Sequence, residues 1–134
     1  VSWPGRLQLV KGNPCLLIDA GHNPAGIAAL SEALDQLFPG KRIISVMAMM
    51  RDKDYSFCIP EIARRSGFLV ATTVGLPRSL PPMELERVAA PYCTTITAPS
   101  VSEGISLARN VAGEDDLILV CGSVYASGEA IGQL

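Results

Sequence analysis

The chain has 134 residues, 49% of them hydrophobic, which is enough for one domain with its own core. Its 13 acidic and 11 basic residues give a formal net charge of −2, so no strong positive field attracts nucleic acid or an anionic membrane surface. The apolar runs are far shorter than the roughly 18 to 20 residues of a membrane-spanning helix. We therefore expect neither a nucleic-acid partner nor a membrane partner.

The cysteines indicate the compartment. The chain has 4 cysteines, far apart and without a Cys-x-x-Cys pair, and 1 histidine, a pattern that does not suit a zinc site. We expect no metal site. Cys15 and Cys121 stand in apolar runs and are predicted to be small buried hydrophobic side chains. Unpaired cysteines of this kind are typical of a reducing compartment, which favours the cytoplasm.

Short apolar runs alternate with helix-like segments, a pattern typical of βαβ units. Strands are predicted at residues 7–10, 15–19, 42–48, 68–74, 94–97 and 117–121. The Lys-Gly-Asn-Pro link at 11–14 is too short for a crossover, so the first two strands should form a hairpin. The predicted fold is α/β: a Rossmann-like, mostly parallel sheet of about six strands, with one antiparallel edge strand and helices on both faces.

Five helices are predicted between and after these strands. The first, 24–37, has Asn23 as its cap, Pro24 at its first position and an apolar stripe. A second lies within 55–66, where Pro60 makes the first turn irregular or delays the start. The others are predicted at 82–90, from a cap at Ser100 or Ser102 to about residue 113, and after Ser123.

Polar residues follow several of the predicted strands. Because right-handed crossovers carry parallel strands in the same direction, the turns after them open on one edge of the sheet. Ligands of open α/β sheets bind outside this edge, where helix amino termini offer N–H groups to anions. We expect a ligand site formed there by Asp19, His22, Asp52, Lys53, Arg78 and Ser123.

Four motifs together resemble a known family. They read Trp-Pro-Gly-Arg-Leu at 3–7, Asp-Ala-Gly-His-Asn-Pro at 19–24, Met-Met-Arg-Asp-Lys-Asp at 49–54 and Val-Cys-Gly-Ser-Val-Tyr at 120–125. In this order they resemble the carboxy-terminal domain of folylpolyglutamate synthases and bifunctional dihydrofolate synthases, members of the Mur ligase superfamily. That family usually reads Asp-Gly-Ala-His-Asn in the second motif, so two small residues are exchanged here. The resemblance covers nearly the whole chain and implies the Mur ligase C-terminal fold.

The resemblance implies ATP-dependent amide formation. A carboxylate of a reduced folate or dihydropteroate is phosphorylated, and the amine of L-glutamate attacks the acyl phosphate. The chain lacks a Gly-x-x-x-x-Gly-Lys-Ser/Thr loop, which the family keeps in an amino-terminal domain together with the Mg²⁺ ligands. Residues 1–134 are therefore expected to be one C-terminal glutamate-ligase domain that is inactive without the amino-terminal domain. A first residue that is Val rather than Met suggests an excised piece.

The resemblance also implies roles for five residues. His22 and Ser123 would bind the incoming glutamate, and Lys53 would contact one of its carboxylates. Arg6 would reach an ATP phosphate, and Asp19 the sugar side of the nucleotide. Without the resemblance, His22 would be a surface or capping group, Lys53 an exposed charge and Asp19 an acid before a helix. No residue is assigned as a certain catalyst.

Other assignments stay open at this stage. Asp52 and Asp54 are predicted to form a turn, and Arg78 receives no role. The chain could belong to a ligase that acts on a cell-wall peptide precursor. It could also be a free-standing Rossmann-like module that binds a small molecule, although it has no Gly-x-Gly-x-x-Gly after a strand. The second and third motifs favour the folate ligases.

Overall fold

A computed structural model describes residues 7–134 of the chain. Within them, six strands form one sheet in the order β1-β2-β6-β3-β4-β5. Only β1 and β2 pair in an antiparallel sense, and the other neighbours are parallel. The predicted α/β fold with one antiparallel edge strand is confirmed. The strands are β1 (Gln8–Val10), β2 (Cys15–Ile18), β3 (Ile43–Met47), β4 (Phe68–Ala71), β5 (Thr94–Thr97) and β6 (Leu117–Cys121).

Helices cover both faces of the sheet and create two apolar cores. One core contains Leu17 of β2, Met47 of β3 and Leu119 of β6. The other core contains Ile18 and Val120, which directly follow Leu17 and Leu119 in the chain. Because alternate strand residues enter opposite cores, the central strands β3 and β6 are apolar except for Ser45, whose hydroxyl is hydrogen-bonded to that of Ser66 at 2.7 Å. The helices are α1 (Pro24–Leu37), α2 (Tyr55–Ala63), α3 (Pro82–Ala89), α4 (Val101–Val111) and α5 (Val124–Gly132).

The helix boundaries follow the local capping signals. Helix α1 has the predicted bounds, and the side chain of Asn23 accepts a hydrogen bond from Gly26 N–H at 2.8 Å. Helix α4 is capped by Ser100 rather than Ser102, because Ser100 Oγ accepts from Glu103 N–H at 3.1 Å. None of the helices in 7–134 is long and apolar enough to cross a membrane.

Helix α2 corrects one prediction about Pro60. The helix begins at Tyr55, so the delayed start is wrong, and Pro60 lies inside it. Pro60 removes one backbone N–H donor. At the amino terminus the Asp54 carboxylate caps the helix by accepting from Phe57 N–H at 3.3 Å. On the inner side the helix buries Cys58, Ile59, Ile62 and Ala63, which stabilises it by packing.

Three strands are shorter at their carboxyl ends than predicted. The clearest case is β4, which ends at Ala71 instead of residue 74. Its outer partner β5 ends at Thr97, and Thr72 then donates its side-chain O–H to Ala98 O at 3.0 Å. Thr72 N–H still donates to Met47 O at 2.9 Å, but the strand pairing does not continue through residues 73 and 74. Strands β2 and β3 each end one residue earlier than predicted, at Ile18 and Met47.

The two cysteines predicted to be buried differ in their solvent exposure. Cys121 is fully buried in β6, as predicted. Cys15 is half-buried, because it is the first residue of β2, next to the hairpin turn, and its thiol lies 3.4 Å from Gly12 O. Burial at the sheet margin is incomplete, so an apolar run does not predict it residue by residue.

Candidate functional site

The loops after β2, β3, β4 and β6 meet at one edge of the sheet and enclose a pocket of about 120 Å³. It contains five of the six residues predicted to converge there, and Asp19 is the one that does not line it. Met50, Val124 and Tyr125 also line it, and sequence reasoning missed them although they adjoin Lys53 and Ser123 in the motifs. The lining residues are His22, Met50, Asp52, Lys53, Arg78, Ser123, Val124 and Tyr125.

The β6–α5 turn supplies Ser123. Gly122, at φ 100°, ends β6, and Ser123 caps α5 by accepting from Tyr125 N–H at 3.1 Å. Ser123 is almost completely buried at the base of the pocket, and its own O–H can donate to a ligand. The first-turn N–H groups of a helix have no intrahelical acceptor and carry a partial positive charge. This corner of the pocket therefore favours an anion.

The β2–α1 turn supplies His22. The buried carboxylate of Asp19 accepts from Gly21 N–H at 2.8 Å and so holds the turn closed. His22 Nδ1 lies 3.2 Å from Ala20 O, a distance at which Nδ1–H donates to that carbonyl. In this tautomer Nε2 is an acceptor. The turn thus presents a half-buried imidazole whose second nitrogen can accept a proton or a hydrogen bond.

The β3–α2 turn supplies Lys53, and backbone hydrogen bonds join this turn to the loop after β4. Arg51 N–H donates to Arg78 O at 2.6 Å, and Leu80 N–H donates to Met49 O at 2.9 Å. Met50 and Ser79 form an isolated antiparallel bridge. These bonds bring residues 27 or more positions apart into register. They are the reason that Arg78 reaches the pocket.

The charges of the pocket are mainly positive. Arg78 Nη1 lies 2.9 Å from Asp52 Oδ2, so one cation is paired. Among the ion pairs of residues 7–134, none involves Lys53, whose side chain is half-buried. A partly dehydrated, unpaired ammonium group attracts a carboxylate more strongly than an exposed one does. The pocket therefore suits a small ligand that carries carboxylates.

Asp19 lies beneath this pocket. Its side chain is fully buried, and its N–H donates to Val120 O at 3.0 Å. Burial, and secondly the charge of Asp19, hold the pKa of the Cys121 thiol well above its usual range. This position makes Asp19 a support of the turn that carries His22. The other residue assigned to the nucleotide, Arg6, lies outside the described residues.

The pocket does not fit a resident metal ion. In the part of the chain that the structure describes, no group of three or more His, Cys, Asp and Glu could hold one. The pocket lining contains a single carboxylate, Asp52, and that carboxylate is paired with Arg78. Hard divalent cations need several oxygen ligands.

A second, open cavity of about 240 Å³ adjoins the same two loops. It is lined by Arg51, Tyr55, Leu80, Pro81 and Glu84. Its carboxylate is already engaged, since Tyr55 O–H donates to Glu84 at 3.3 Å and Arg87 pairs with Glu84 at 2.8 Å. Sequence reasoning did not find this cavity, because its residues come together only through the backbone bonds between residues 49–51 and 78–80.

A mostly parallel α/β sheet with a cationic pocket at its carboxyl edge is typical of domains that bind small anionic ligands. Residues 5–124 match the model of the family described as "Mur ligase, glutamate ligase domain". The chain belongs to this family. The resemblance inferred from the four motifs is thereby confirmed.

The relatives that this chain matches include folate ligases. The chain is 30% identical to the dihydrofolate synthase/folylpolyglutamate synthase of Mycobacterium tuberculosis (strain ATCC 25618 / H37Rv), over 97% of this chain and 30% of that protein. It superposes on the M. tuberculosis folylpolyglutamate synthase complexed with ADP and AMPPCP with a TM-score of 0.88 and 28% identity, covering 99% of this chain and 32% of the other.

A further solved structure is a bifunctional folylpolyglutamate synthase/dihydrofolate synthase with Mn, AMPPNP and L-glutamate bound. Here the TM-score is 0.86 at 26% identity, and the match covers 98% of this chain and 32% of the other. Proteins of this family thus bind adenine nucleotides and a divalent metal. The chain spans about a third of the length of the relatives it matches.

Proposed function

We propose that this chain is the glutamate-binding, carboxy-terminal domain of an ATP-dependent ligase that adds L-glutamate to a folate. The observation that carries the proposal is the convergence of His22, Lys53 and Ser123 from three separate loops on one pocket. The relative with L-glutamate bound supports the choice of ligand. The names of the relatives favour a folate over a cell-wall peptide precursor as the acceptor.

The proposed binding mode follows from the donors and acceptors of the pocket. One glutamate carboxylate receives the Ser123 O–H and lies at the amino terminus of α5. The other pairs with the Lys53 ammonium, and charge-assisted hydrogen bonds of this kind are about twice as strong as neutral ones. His22 Nε2 accepts from the substrate amine, because Nδ1–H is held by Ala20 O. These three contacts, with Ser123, Lys53 and His22, fix both the position and the direction of the glutamate amine, which is the nucleophile.

The reaction needs orientation more than a protein nucleophile. An oxygen of the folate carboxylate attacks the γ-phosphorus of ATP, and ADP leaves. The glutamate nitrogen then attacks the acyl carbon, phosphate leaves, and the nitrogen gives up a proton. Holding the amine within reach of the acyl phosphate makes the second step effectively unimolecular. In this proposal, residues of the chain bind glutamate, orient its nitrogen and provide an acceptor at His22 Nε2.

The rest of the active site belongs, in this proposal, to an amino-terminal domain of the same protein. That domain would bind the triphosphate and the divalent metal, proposed to be Mg²⁺, and most of the reduced folate or dihydropteroate. Arg6 and Asp19 are proposed to contact ATP, Arg6 through a phosphate and Asp19 through the sugar side. We also propose a cytoplasmic location, since the reaction consumes ATP and the described cysteines are all free thiols.

The proposal is tested by titrating the ¹⁵N-labelled chain with L-glutamate and following its amide resonances. We expect shifts at the turns that carry His22, Lys53 and Ser123, and weaker effects with D-glutamate. A Glu84→Gln variant is the matched control, because it alters the second cavity only. Shifts confined to the second cavity, or none with L-glutamate, would contradict the proposal. A preference for D-glutamate would favour a cell-wall ligase.

A further inference from the structure

We propose that Gly122 is a positioning residue that sets the width of the pocket, an inference that rests on the proposed function. The residue lies between β6 and the cap of α5, and it packs closely against Ala48, the residue that follows β3. It contributes no side chain to the ligand. Its contribution is the close approach of two loops that together hold the substrate.

Two observations exclude a side chain at this position. The φ of Gly122 is 100°, in the region that L-residues with a Cβ rarely adopt. A Cβ built there would overlap the carbonyl oxygen of Ala48 and would lie 3.1 Å from Met49 Sδ. The first obstacle is backbone, so a rotamer change cannot relieve it.

The backbone around Gly122 is also fixed by the sheet. Ala48 N–H donates to Cys121 O at 3.3 Å, so β3 and β6 remain joined up to the residue before the glycine. A Cβ at position 122 must therefore push the following residues outward instead of separating the strands. Those residues are Ser123 and the first turn of α5.

The chain on each side of this contact leads to a different set of residues that line the pocket, here called its two walls. Beyond Gly122 come Ser123, Val124 and Tyr125, and beyond Ala48 and Met49 come Met50 and Lys53. The contact between Gly122 and Ala48 thus sets how far the Ser123 hydroxyl lies from the Lys53 ammonium. A ligand that bridges the two walls is sensitive to this separation, because hydrogen bonds weaken steeply outside a narrow range of distance and angle.

Gly104 provides a matched control. It is also buried and also packs on β3, since a Cβ there would lie 2.9 Å from Val46 Cγ1. That neighbour is a side chain, on the face of the sheet covered by α4, and Gly104 does not line the pocket. An added methyl group at Gly104 therefore strains the core without moving the pocket walls.

The test compares L-glutamate binding, by calorimetric titration, in the wild-type chain and in Gly122→Ala and Gly104→Ala, with a thermal melt of each. We expect Gly122→Ala to bind roughly tenfold or more weakly, comparable to the loss of one charge-assisted hydrogen bond. Gly104→Ala should keep the wild-type affinity while its melting temperature falls. A third variant inserts one glycine between Gly122 and Ser123, which moves Ser123 without any steric overlap.

The outcomes separate the two proposals. If the wild-type chain binds no L-glutamate, the proposed function fails, and this inference fails with it. If the wild type binds, Ser123→Ala does not, and Gly122→Ala binds like the wild type, only the positioning role of Gly122 is overturned. If Gly122→Ala does not fold, the insertion variant decides: lost binding in a folded chain supports the inference, and wild-type binding overturns it.

Discussion

Arg78 Nη1 and Asp52 Oδ2 lie 2.9 Å apart, and this ion pair links the loop after β4 to the loop after β3 at the mouth of the pocket. Both side chains are largely exposed, at 69% and 46%, so the pair adds little to stability. Its effect is to hold the guanidinium in one orientation beside Lys53. Arg78, which was predicted at this edge but given no role, thus has a defined partner at the candidate site.

The ion pair predicts separate effects on binding and stability. Asp52→Asn should leave the melting temperature nearly unchanged, because exposed pairs contribute roughly 0 to 1 kcal/mol. The salt dependence of the L-glutamate affinity should change, since the Arg78 guanidinium then lacks the carboxylate of Asp52 as its partner. Calorimetric titrations at low and high salt measure this, with Asp115→Asn as an exposed control away from the pocket. A melting temperature that falls as far as in a core variant would contradict the orienting role.

His22 and Ser123 are predicted to serve glutamate and not ATP. His22→Ala and Ser123→Ala in the complete ligase should each raise the KM for L-glutamate about tenfold or more, the effect of losing a hydrogen bond to a charged ligand. The KM for ATP should stay close to that of the wild type. Steady-state kinetics with each substrate varied in turn provide the measurement. A raised KM for ATP with an unchanged KM for glutamate would refute the assignment.

Asp19 has a structural role in the turn that carries His22 and a proposed role in nucleotide binding. Two substitutions test these roles separately. Asp19→Ala removes the acceptor of Gly21 N–H, and leaving a buried donor unsatisfied should cost about 1 to 3 kcal/mol of unfolding free energy. Asp19→Asn keeps an acceptor oxygen and should cost less. Chemical denaturation measures both variants. If Asp19 also contacts the nucleotide, the KM for ATP in the complete enzyme should rise in both, and an unchanged KM would leave only the structural role.

Arg6 is predicted to bind an ATP phosphate. Arg6→Lys keeps the positive charge and removes the planar pair of donors, so kcat/KM for ATP should fall by roughly tenfold or more. Arg109→Lys, at an exposed position of α4, is the matched control. Kinetics of the complete enzyme with ATP varied test this. Equal values for both variants and the wild type would mean that Arg6 is not a phosphate ligand.

The buried thiols predict a loss of stability at alkaline pH. Burial, assisted by the charges of Asp54 and Glu61, raises the pKa of Cys58 to about 11 from an ordinary value of 9.0. The unfolded chain therefore releases this proton first, and stability that is fully present below pH 9 is lost as the pH rises towards 11. The loss amounts to at most about 3 kcal/mol, at 1.36 kcal/mol per unit of pKa.

Urea denaturation between pH 8 and about 11 measures this effect. In Cys58→Ala the unfolding free energy should be lower at pH 8, because a buried side chain is truncated, and it should fall less steeply above pH 9. Cys15→Ala is the control, since Cys15 is only half-buried. A slope in Cys58→Ala as steep as in the wild type would show that other groups carry the alkaline transition.

Local signals in the sequence were sufficient for several elements. Helix α1 was predicted with its observed bounds, because Asn23, Pro24 and the apolar stripe all act within a few residues. The hairpin of β1 and β2 followed from the length of its link. The gathering of polar residues at one edge followed from the handedness of parallel crossovers, a rule that needs only the order of strands and helices.

Other features depend on contacts between distant residues, and no local pattern encodes them. The end of β4 is set by its pairing with β5, and the burial of Asp19 by the packing of β2 against β6. The second cavity, and the pairing of the loop that carries Arg78 with the loop after β3, follow from backbone bonds between residues 49–51 and 78–80.

The sequence by itself determined the fold class, the family and which edge of the sheet carries the site, because apolar periodicity, caps and crossover handedness are properties of order along the chain. The tertiary structure decided which of the predicted residues line the pocket and which lie beneath it. It did so because side-chain burial and the register between loops depend on distances through space. Asp19 and Arg78 illustrate the difference: both were predicted at this edge, and only the structure shows that Arg78 lines the pocket while Asp19 lies buried outside its lining.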